Sequence, residues 1–250
     1  MSLYQMSLTR ALTVYVAQGF ICFFFIFLAY KILKRDRKRL NLIFSGFYLS
    51  AAIGLLINFI YAPLDPLEFE PAILFLNFIT NFGIFYSSIF LVVFDLILLK
   101  SEKVITPIKQ LVILIVYGIA MFCMIFFIYV EGIAFDGSSR LGVELDLDSW
   151  SPIWNLPFFL YLLIIESIPT GFFFYFSFQI YKKFEDEQLR KKWKFFIFGA
   201  TALIIFMYGI FVSNFLNDPT FRLVMGAIGL ILAIAGGYLM YNGVGRQLEK

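Results

Sequence analysis

The chain has 250 residues, of which 61% are hydrophobic and only 15% charged, whereas soluble domains average about 45–50% apolar and about 25% charged residues. Its 34 phenylalanines suit a chain whose outer surfaces meet lipid, because side chains that face hydrocarbon must be apolar. The composition therefore excludes a water-soluble domain. The sequence contains no histidine, which excludes histidine-ligated zinc or haem sites and histidine-dependent proteases.

Seven stretches reach the length of about 20 mostly apolar residues that a membrane-spanning helix needs. Residues 1–10 lack the basic start of a signal peptide, so the first apolar run is expected to stay as a spanning helix. We expect the long third stretch to be tilted or extended. The sequence predicts an all-α, polytopic membrane protein, with residues 1–250 forming one monomeric seven-helix bundle. The stretches are Ala11–Leu33, Asn41–Tyr61, Pro71–Leu99, Leu111–Val130, Pro157–Ile180, Phe195–Phe215 and Phe221–Tyr241.

Lysine and arginine are strongly segregated between the two ends of these helices. Seventeen of the 20 lie at the ends of, or just after, the first, third, fifth and seventh stretches, and only Arg10, Arg140 and Arg222 lie at the other end. The positive-inside rule therefore predicts an N-terminus outside and a C-terminus in the cytoplasm. The inner basic face is expected to meet anionic lipid headgroups, and no nucleic-acid binding is expected. The outer side is acidic, with Asp65, Glu68, Glu70, Glu131, Asp136, Glu144, Asp146, Asp148 and Asp218.

The longest predicted loop, Glu131–Asn155, lies outside. Asp136–Ser139 has the composition of a turn and predicts a short hairpin between the flanking apolar residues. Trp150 and Trp154 are typical of an interfacial aromatic anchor, and the alternative is a lid over an outward-facing pocket. The alternating acidic residues 144, 146 and 148 lack the glycine and the closing glutamate of a usual calcium loop.

A possible internal repeat relates the two halves of the chain. A basic turn, a glycine and an Asp-Pro pair recur at an offset of 153 residues, which permits a three-plus-one-plus-three arrangement of parallel repeats. The alternative is that any such helix uses a basic inner turn and an acid–proline outer turn. The first set is Arg37–Arg39, Gly46 and Asp65–Pro66, and the second is Arg190–Lys192, Gly199 and Asp218–Pro219.

Two ionisable residues fall at membrane depth, where they are costly and therefore candidate functional groups. Glu166 lies near the middle of the fifth helix, with Thr170 one turn further and a kink expected at Pro169. Asp95 lies near the inner end of the third helix. For Glu166 two interpretations remain open: a neutral carboxyl that bonds neighbouring side chains, or a contact for a ligand, proton or ion.

The third helix carries a polar stripe that includes Asp95. Asn77, Asn81, Ser88 and Asp95 are separated by four, seven and seven residues, which places them on one face that must look into the bundle. Hydrogen bonding between helices explains such a stripe, and so does the wall of a cavity.

Several functional classes are excluded by missing motifs. Phe221–Tyr241 holds no lysine to bind retinal, and the chain has no GxGD protease motif, phosphate-binding glycine loop or cysteine metal pair. The paired helix prolines of three-helix-repeat sugar transporters are also missing. Catalysis, a cofactor and a metal are therefore not expected.

The stretch Glu185–Phe215 resembles the fifth-to-sixth helix junction of the seven-helix sensor region that precedes many prokaryotic histidine kinases. Gln188, Arg190 and Gly199 are the matching positions in a basic inner turn that leads into a glycine-bearing helix. The resemblance extends in style to the whole chain and implies a sensor that binds a ligand or senses the membrane. Only nine residues follow Tyr241, so we expect a stand-alone sensor that signals to a separate cytoplasmic partner.

The sequence thus predicts a receptor-like protein that binds a small or lipidic ligand. Its pocket would open outward between the third, fifth and sixth helices, with Glu166 and Asn81 at its base. The alternatives are a small proton- or ion-coupled transporter that uses Glu166 and Asp95, and a non-catalytic accessory subunit. The predicted ligand residues are Glu166, Asn81, Asn77, Thr170, Ser88 and Asp95. The predicted partner contacts are Lys182, Lys183, Arg190, Lys191 and Lys192 of the inner turn.

Overall fold

The computed structural model describes residues 8–129, 142–145 and 152–245. Seven helices of the described chain are long and apolar enough to cross a membrane, which confirms the prediction of an all-α, multi-pass membrane protein. A short turn of helix, Leu8–Ala11, precedes the first of them. The seven are α1 (Leu12–Arg35), α2 (Arg39–Tyr61), α3 (Leu67–Lys100), α4 (Pro107–Phe127), α5 (Leu156–Lys183), α6 (Glu187–Leu216) and α7 (Pro219–Gly245).

Short polar turns connect the helices at two chemically different ends. We call the end with residues 36–38, 101–106 and 184–186 the basic end, and the end with residues 62–65 and 217–218 the acidic end. Asp65, Thr106, Asp186 and Asp218 cap four helices, each accepting a backbone N–H two or three residues ahead. The two acid–proline helix starts that the sequence indicates are therefore genuine caps.

Helix α3, the longest predicted span, is interrupted rather than only tilted. It consists of Pro66–Phe85 and Ser87–Lys100, with a break at Tyr86 and a non-helical residue at Phe69, two positions before Pro71. Proline lacks the N–H that would continue the ladder of hydrogen bonds, which accounts for the distortion at Phe69. Helix α4 is likewise interrupted at Cys123 and Met124, and two further segments, Leu12–Gln18 and Tyr241–Gly245, are π-helical.

Glycines set the closest helix contacts. A Cβ added at Gly83 of α3 would lie 2.9 Å from the Cα of Gly54 in α2, and Ser50 donates a 2.7 Å hydrogen bond to the Gly83 carbonyl. Gly199 of α6 and Gly236 of α7 approach each other equally closely, because a Cβ on either would clash with the carbonyl of the other. Such small residues let helix backbones meet where hydrophobic attraction between helices is absent.

The predicted repeat pairs Gly46 with Gly199, but the two glycines have different neighbours. Gly46 faces the ring of Phe90, whereas Gly199 faces the backbone of Gly236. The repeat and the N-out orientation remain predictions.

The centre of the bundle is aromatic, and its outer surface is apolar. Phe44, Tyr48, Phe94, Phe173 and Phe196 are almost fully buried around the basic half of α2, α3, α5 and α6. Helix α4 lies at the periphery against α3 and exposes an apolar stripe. That stripe is Ile108, Leu111, Val112, Ile115, Val116 and Ile119. A helix surrounded by lipid needs such a face.

A two-stranded sheet covers part of the acidic end. Strand β1 (Val143–Leu145) pairs antiparallel with β2 (Pro152–Trp154), with Val143 opposite Trp154. Trp154 is only 1% exposed and packs against Phe85, so it is not the interfacial anchor predicted for it. The predicted turn at 136–139 and Trp150 lie outside the described residues.

Candidate functional site

An interhelical cavity of about 510 Å³ occupies the acidic half of the bundle. Six helices contribute to its wall, and α4 is the one helix of the described chain with no lining residue. At the acidic end the cavity reaches the α6–α7 turn, where Asn217 and Pro219 line it. Its volume lies within the range of about 300–1,000 Å³ that is usual for small-molecule sites.

The wall changes from polar to apolar with depth along helices that enter from the acidic end. On α1 and the preceding turn the lining residues begin at Arg10 and end at Phe25. On α3 they begin at Asn77 and end at Leu91. In order of depth they are Arg10, Thr13, Val14, Ala17, Gln18, Ile21 and Phe25 on the first path, and Asn77, Thr80, Asn81, Ile84, Ser87, Ser88 and Leu91 on the second.

The same gradient appears on the helices that run toward the acidic end. On α2 the lining begins at Phe47 and finishes with Asn58 and Tyr61, and on α6 it begins at Ala200 and finishes with Asn214 and Asn217. On these four helices, whichever direction they run, the lining residues are therefore polar at the mouth of the cavity and apolar at its base.

The deeper polar lining residues include the serines at the break of α3 and Thr170 of α5, and the two serines add little free hydrogen-bonding capacity. Ser87 donates to the Ile84 carbonyl at 2.6 Å, and Ser88 donates to the Phe85 carbonyl at 2.9 Å. Backbone groups of the same helix thus use their hydroxyl protons.

Side-chain amide groups form hydrogen bonds that connect the residues in the polar part of the wall. Asn81 donates to the side-chain oxygen of Asn77 at 3.0 Å, and Asn77 donates to the Tyr61 hydroxyl at 2.9 Å. Asn58 donates to Gln18 across α1 and α2. The predicted α3 stripe therefore serves both purposes considered for it, because Asn77 joins α3 to α2 and both Asn77 and Asn81 line the cavity.

The rim of the cavity carries two arginines, Arg10 and Arg222. Arg222 donates to the carbonyls of Ser213 at 3.3 Å and Pro152 at 3.0 Å, which joins α7 to α6 and to β2. None of the acidic residues that the structure describes is part of the lining.

Glu166 does not line this cavity and Asn81 lies in its polar part, so neither forms the base as predicted. The side chain of Glu166 is 0% exposed, and Tyr117 of α4 donates to its Oε1 at 2.8 Å. The Tyr117 hydroxyl also lies 3.3 Å from the hydroxyl of Ser88. Tyr117 thus holds the carboxyl against α4, and only Ser88 of this trio reaches the cavity wall. Thr170 and Pro169 do line the cavity, from α5.

Asp95 lies in a second polar cluster nearer the basic end, also outside the cavity. Ser177 of α5 donates to its carboxyl group, and Trp193 of α6 donates to the Ser177 carbonyl at 2.9 Å. All three side chains are almost fully buried, so the cluster connects α3, α5 and α6. Neither Ser177 nor Trp193 was predicted as a site residue; the position of Trp193 inside a basic turn was the available signal.

The predicted partner contacts lie where a partner could reach them. Lys182, Lys183, Arg190, Lys191 and Lys192 are exposed at the basic end. The guanidinium of Arg190 and the ammonium of Lys194 lie over the ring of Tyr181, at 4.8 and 5.7 Å from its centroid. These contacts hold two of the turn's cations against the end of α5.

These features define a multi-pass membrane protein with a graded cavity between its helices. Across the described ranges no three metal-ligating side chains come together. No protein-family model matches the chain, no curated protein matches it, and no solved structure matches it. The fold and the site are therefore the basis for a function.

Proposed function

We propose that this chain is a receptor-like protein of the cell membrane that binds a small ligand in the cavity and signals at the basic end. In this proposal the N-terminus and the acidic end face outside, as the distribution of lysine and arginine favours. The cavity itself supports the proposal, because a space of this size between helices is where membrane and soluble proteins commonly bind small ligands.

A physical route for the signal is available in α3 and α6. Both helices line the cavity at their acidic halves, and both contribute to the Asp95–Ser177–Trp193 cluster at their basic halves. A ligand that separates α3 from α6 would strain this cluster and move the turn at 184–186. Such a response requires a ligand that binds the two arrangements with different affinity.

A side chain introduced into the cavity tests whether filling it moves the basic end, before any ligand is known. Gly226 lines the cavity, and a Cβ added there meets nothing within 4 Å. Gly171 on α5 is also open around an added Cβ, but it is exposed and lies away from the lining. Gly226→Leu should therefore fill cavity space, and Gly171→Leu is its matched control on the lipid-facing surface.

Spin labels at the basic end report the response. With Cys22 and Cys123 replaced by alanine, labels at Glu185→Cys and Glu102→Cys give the distance between the α5–α6 and α3–α4 turns. We expect Gly226→Leu to shift the distance distribution and Gly171→Leu to leave it unchanged. Identical distributions in all three proteins would contradict the coupling.

Transport is the second candidate function, and the Ser88–Tyr117–Glu166 trio is the observation that favours it. The trio connects the cavity wall to a carboxyl at membrane depth, a common element of proton pathways. Asp95 has no described bond to that trio, because its carboxyl is bonded to Ser177. Proton flux in liposomes that is lost in Glu166→Gln would favour transport over reception.

A further inference from the structure

The grading of the cavity wall bears on the chemistry of its ligand. We propose that the ligand is a single-chain amphiphile, with its polar head at the acidic end and its acyl chain extending to the apolar base. This inference rests on the proposed function only in taking the cavity as the ligand site. It adds the class of ligand and its direction in the site.

The depth of the cavity requires an elongated ligand. From Asn77 to Leu91 the α3 wall covers 14 residues, which at about 1.5 Å per residue is about 21 Å. This is about two thirds of a hydrocarbon core of about 30 Å. A compact polar molecule would fill the mouth and leave the apolar base empty, whereas an amphiphile would fill the mouth with its head and the base with its chain.

The volume of the cavity suits a ligand with one acyl chain. At about 510 Å³ it lies within the range of sites that bury one drug-sized molecule. One acyl chain with a small head has that size, and a two-chain phospholipid is much larger. Phe25, Phe47, Leu91, Phe173 and Leu203 are the side chains that would surround the chain.

The mouth determines what kind of head fits. Asn58, Asn81 and Asn214 line it with amide groups, beside Arg222, whose guanidinium already donates to the carbonyls of Ser213 and Pro152, and carboxylates are absent from the lining among the described residues. Guanidinium and amide N–H groups donate to oxygen. The head is therefore one that carries acceptor oxygens, such as a carboxylate or a phosphate ester, and a cationic head is disfavoured.

The head also carries most of the selectivity. An acyl chain gains little by leaving lipid for an apolar cavity, because lipid tails are as apolar as the wall. Specific binding must then come from packing around the chain and from hydrogen bonds at the mouth.

Photolabelling tests both the class and the direction of the ligand. The probes are two 16-carbon fatty acids, one with a diazirine beside the carboxylate and one with a diazirine near the chain end, in phosphatidylcholine nanodiscs. We expect the first to label peptides around Asn81 and Asn214, and the second to label peptides around Phe25 and Leu203. Labelling confined to lipid-exposed side chains, or in the reverse order, would overturn the proposal.

The glycine pair separates cavity binding from partition into the bilayer. Gly226→Leu should reduce cavity labelling by about tenfold, equivalent to about 1.4 kcal/mol, and Gly171→Leu by less than about twofold. Equal reductions in the two variants would contradict a site in the cavity.

Competition identifies the source of the chain. Unlabelled palmitate or unlabelled lysophospholipid should displace the probes, and the stronger competitor shows whether a free acid or a membrane-derived lipid is preferred. Hexadecyltrimethylammonium should not compete, because its head is cationic. Displacement by neither oxygen-bearing competitor, or equal displacement by the cation, would overturn the proposal.

These outcomes are separable from those of the proposed function. If Gly226→Leu shifts the spin-label distances while no probe labels the cavity, the receptor stands and the amphiphile fails. If the probes label the cavity in the expected order while the distances stay fixed with and without palmitate, the site stands and the signalling fails.

Discussion

The cavity wall and the two carboxyl clusters use the same kinds of polar side chain in opposite ways. On the wall, Asn77 and Asn81 bond to neighbours and still face a space that a ligand can enter. In the clusters, Glu166 and Asp95 are fully buried and bonded to Tyr117 and Ser177 on neighbouring helices. In a bundle solvated by lipid, a polar residue at membrane depth therefore either lines a candidate ligand site or holds two helices together by a hydrogen bond. We call the second arrangement a tie.

The largest expected effect comes from the tie at Trp193, which is 3% exposed and packs against Phe184 and Phe196. Trp193→Ala should lower the free energy of unfolding by about 3–5 kcal/mol, because a buried aromatic ring is lost. Trp193→Phe keeps most of the packing and removes the bond to Ser177, so it should cost about 1 kcal/mol. Unfolding titrations in detergent micelles measure both. Similar small losses in the two variants would show that the cluster is not a tie.

The second effect concerns the tie between α4 and α5. Tyr117→Phe should cost about 0.6–1.7 kcal/mol, the range for hydrogen bonds between membrane helices. A double-mutant cycle with Glu166→Met, which removes the acceptor for the Tyr117 hydroxyl, should give a coupling energy of similar size. Tyr175→Phe, at an exposed ring, is the control. Additive losses in the cycle would contradict the contact between Tyr117 and Glu166.

The third expected effect distinguishes, at Asn81, a role in the cavity wall from a role in holding helices together. Asn81→Ala should lower stability by no more than about 0.6 kcal/mol, because its bond to Asn77 stays within one helix. It should nevertheless weaken labelling by the head-proximal fatty acid. Ser87→Ala is the matched control, because Ser87 also lines the cavity but donates to the carbonyl of Ile84. Equal labelling of the two variants would place the ligand head elsewhere.

The smallest effect lies outside the membrane, in the α1–α2 turn. The hydrogen bond from Lys38 lowers the pKa of Asp36 below its ordinary value of 3.8. A lowered folded-state pKa means that this contribution to stability is present at neutral pH and is lost as pH falls through the folded pKa, below about 4. The melting temperature of Asp36→Asn should therefore be slightly below that of the wild type at pH 7, with the difference shrinking as pH falls below about 4. A difference that grows in acid would reverse the assignment.

The sequence predicted some structural features closely because they depend on neighbouring residues. Helix caps at Asp65 and Asp218 are local, since each acid accepts an N–H two or three residues away. The interruption of α3 at Tyr86 has a weaker local signal, namely Gly83 and the pair Ser87–Ser88, whose hydroxyls donate to helix carbonyls. Trp154 is buried through contacts with Phe85 and Phe211, on helices far away in the chain.

Composition and spacing alone determined that lipid solvates this chain and that seven apolar helices can cross a membrane, because hydropathy sums over consecutive residues. Tertiary structure decided which polar groups meet and form hydrogen bonds. Tyr117 and Glu166 are 49 residues apart, and Asp95 and Ser177 are 82 residues apart. A single sequence records the costly groups at membrane depth, but it does not record which neighbouring helix supplies each partner. The partner of each group depends on how closely helix backbones approach at Gly54, Gly83 and Gly199. In this structure the cavity lies on one side of α3, and Glu166 is bonded to α4.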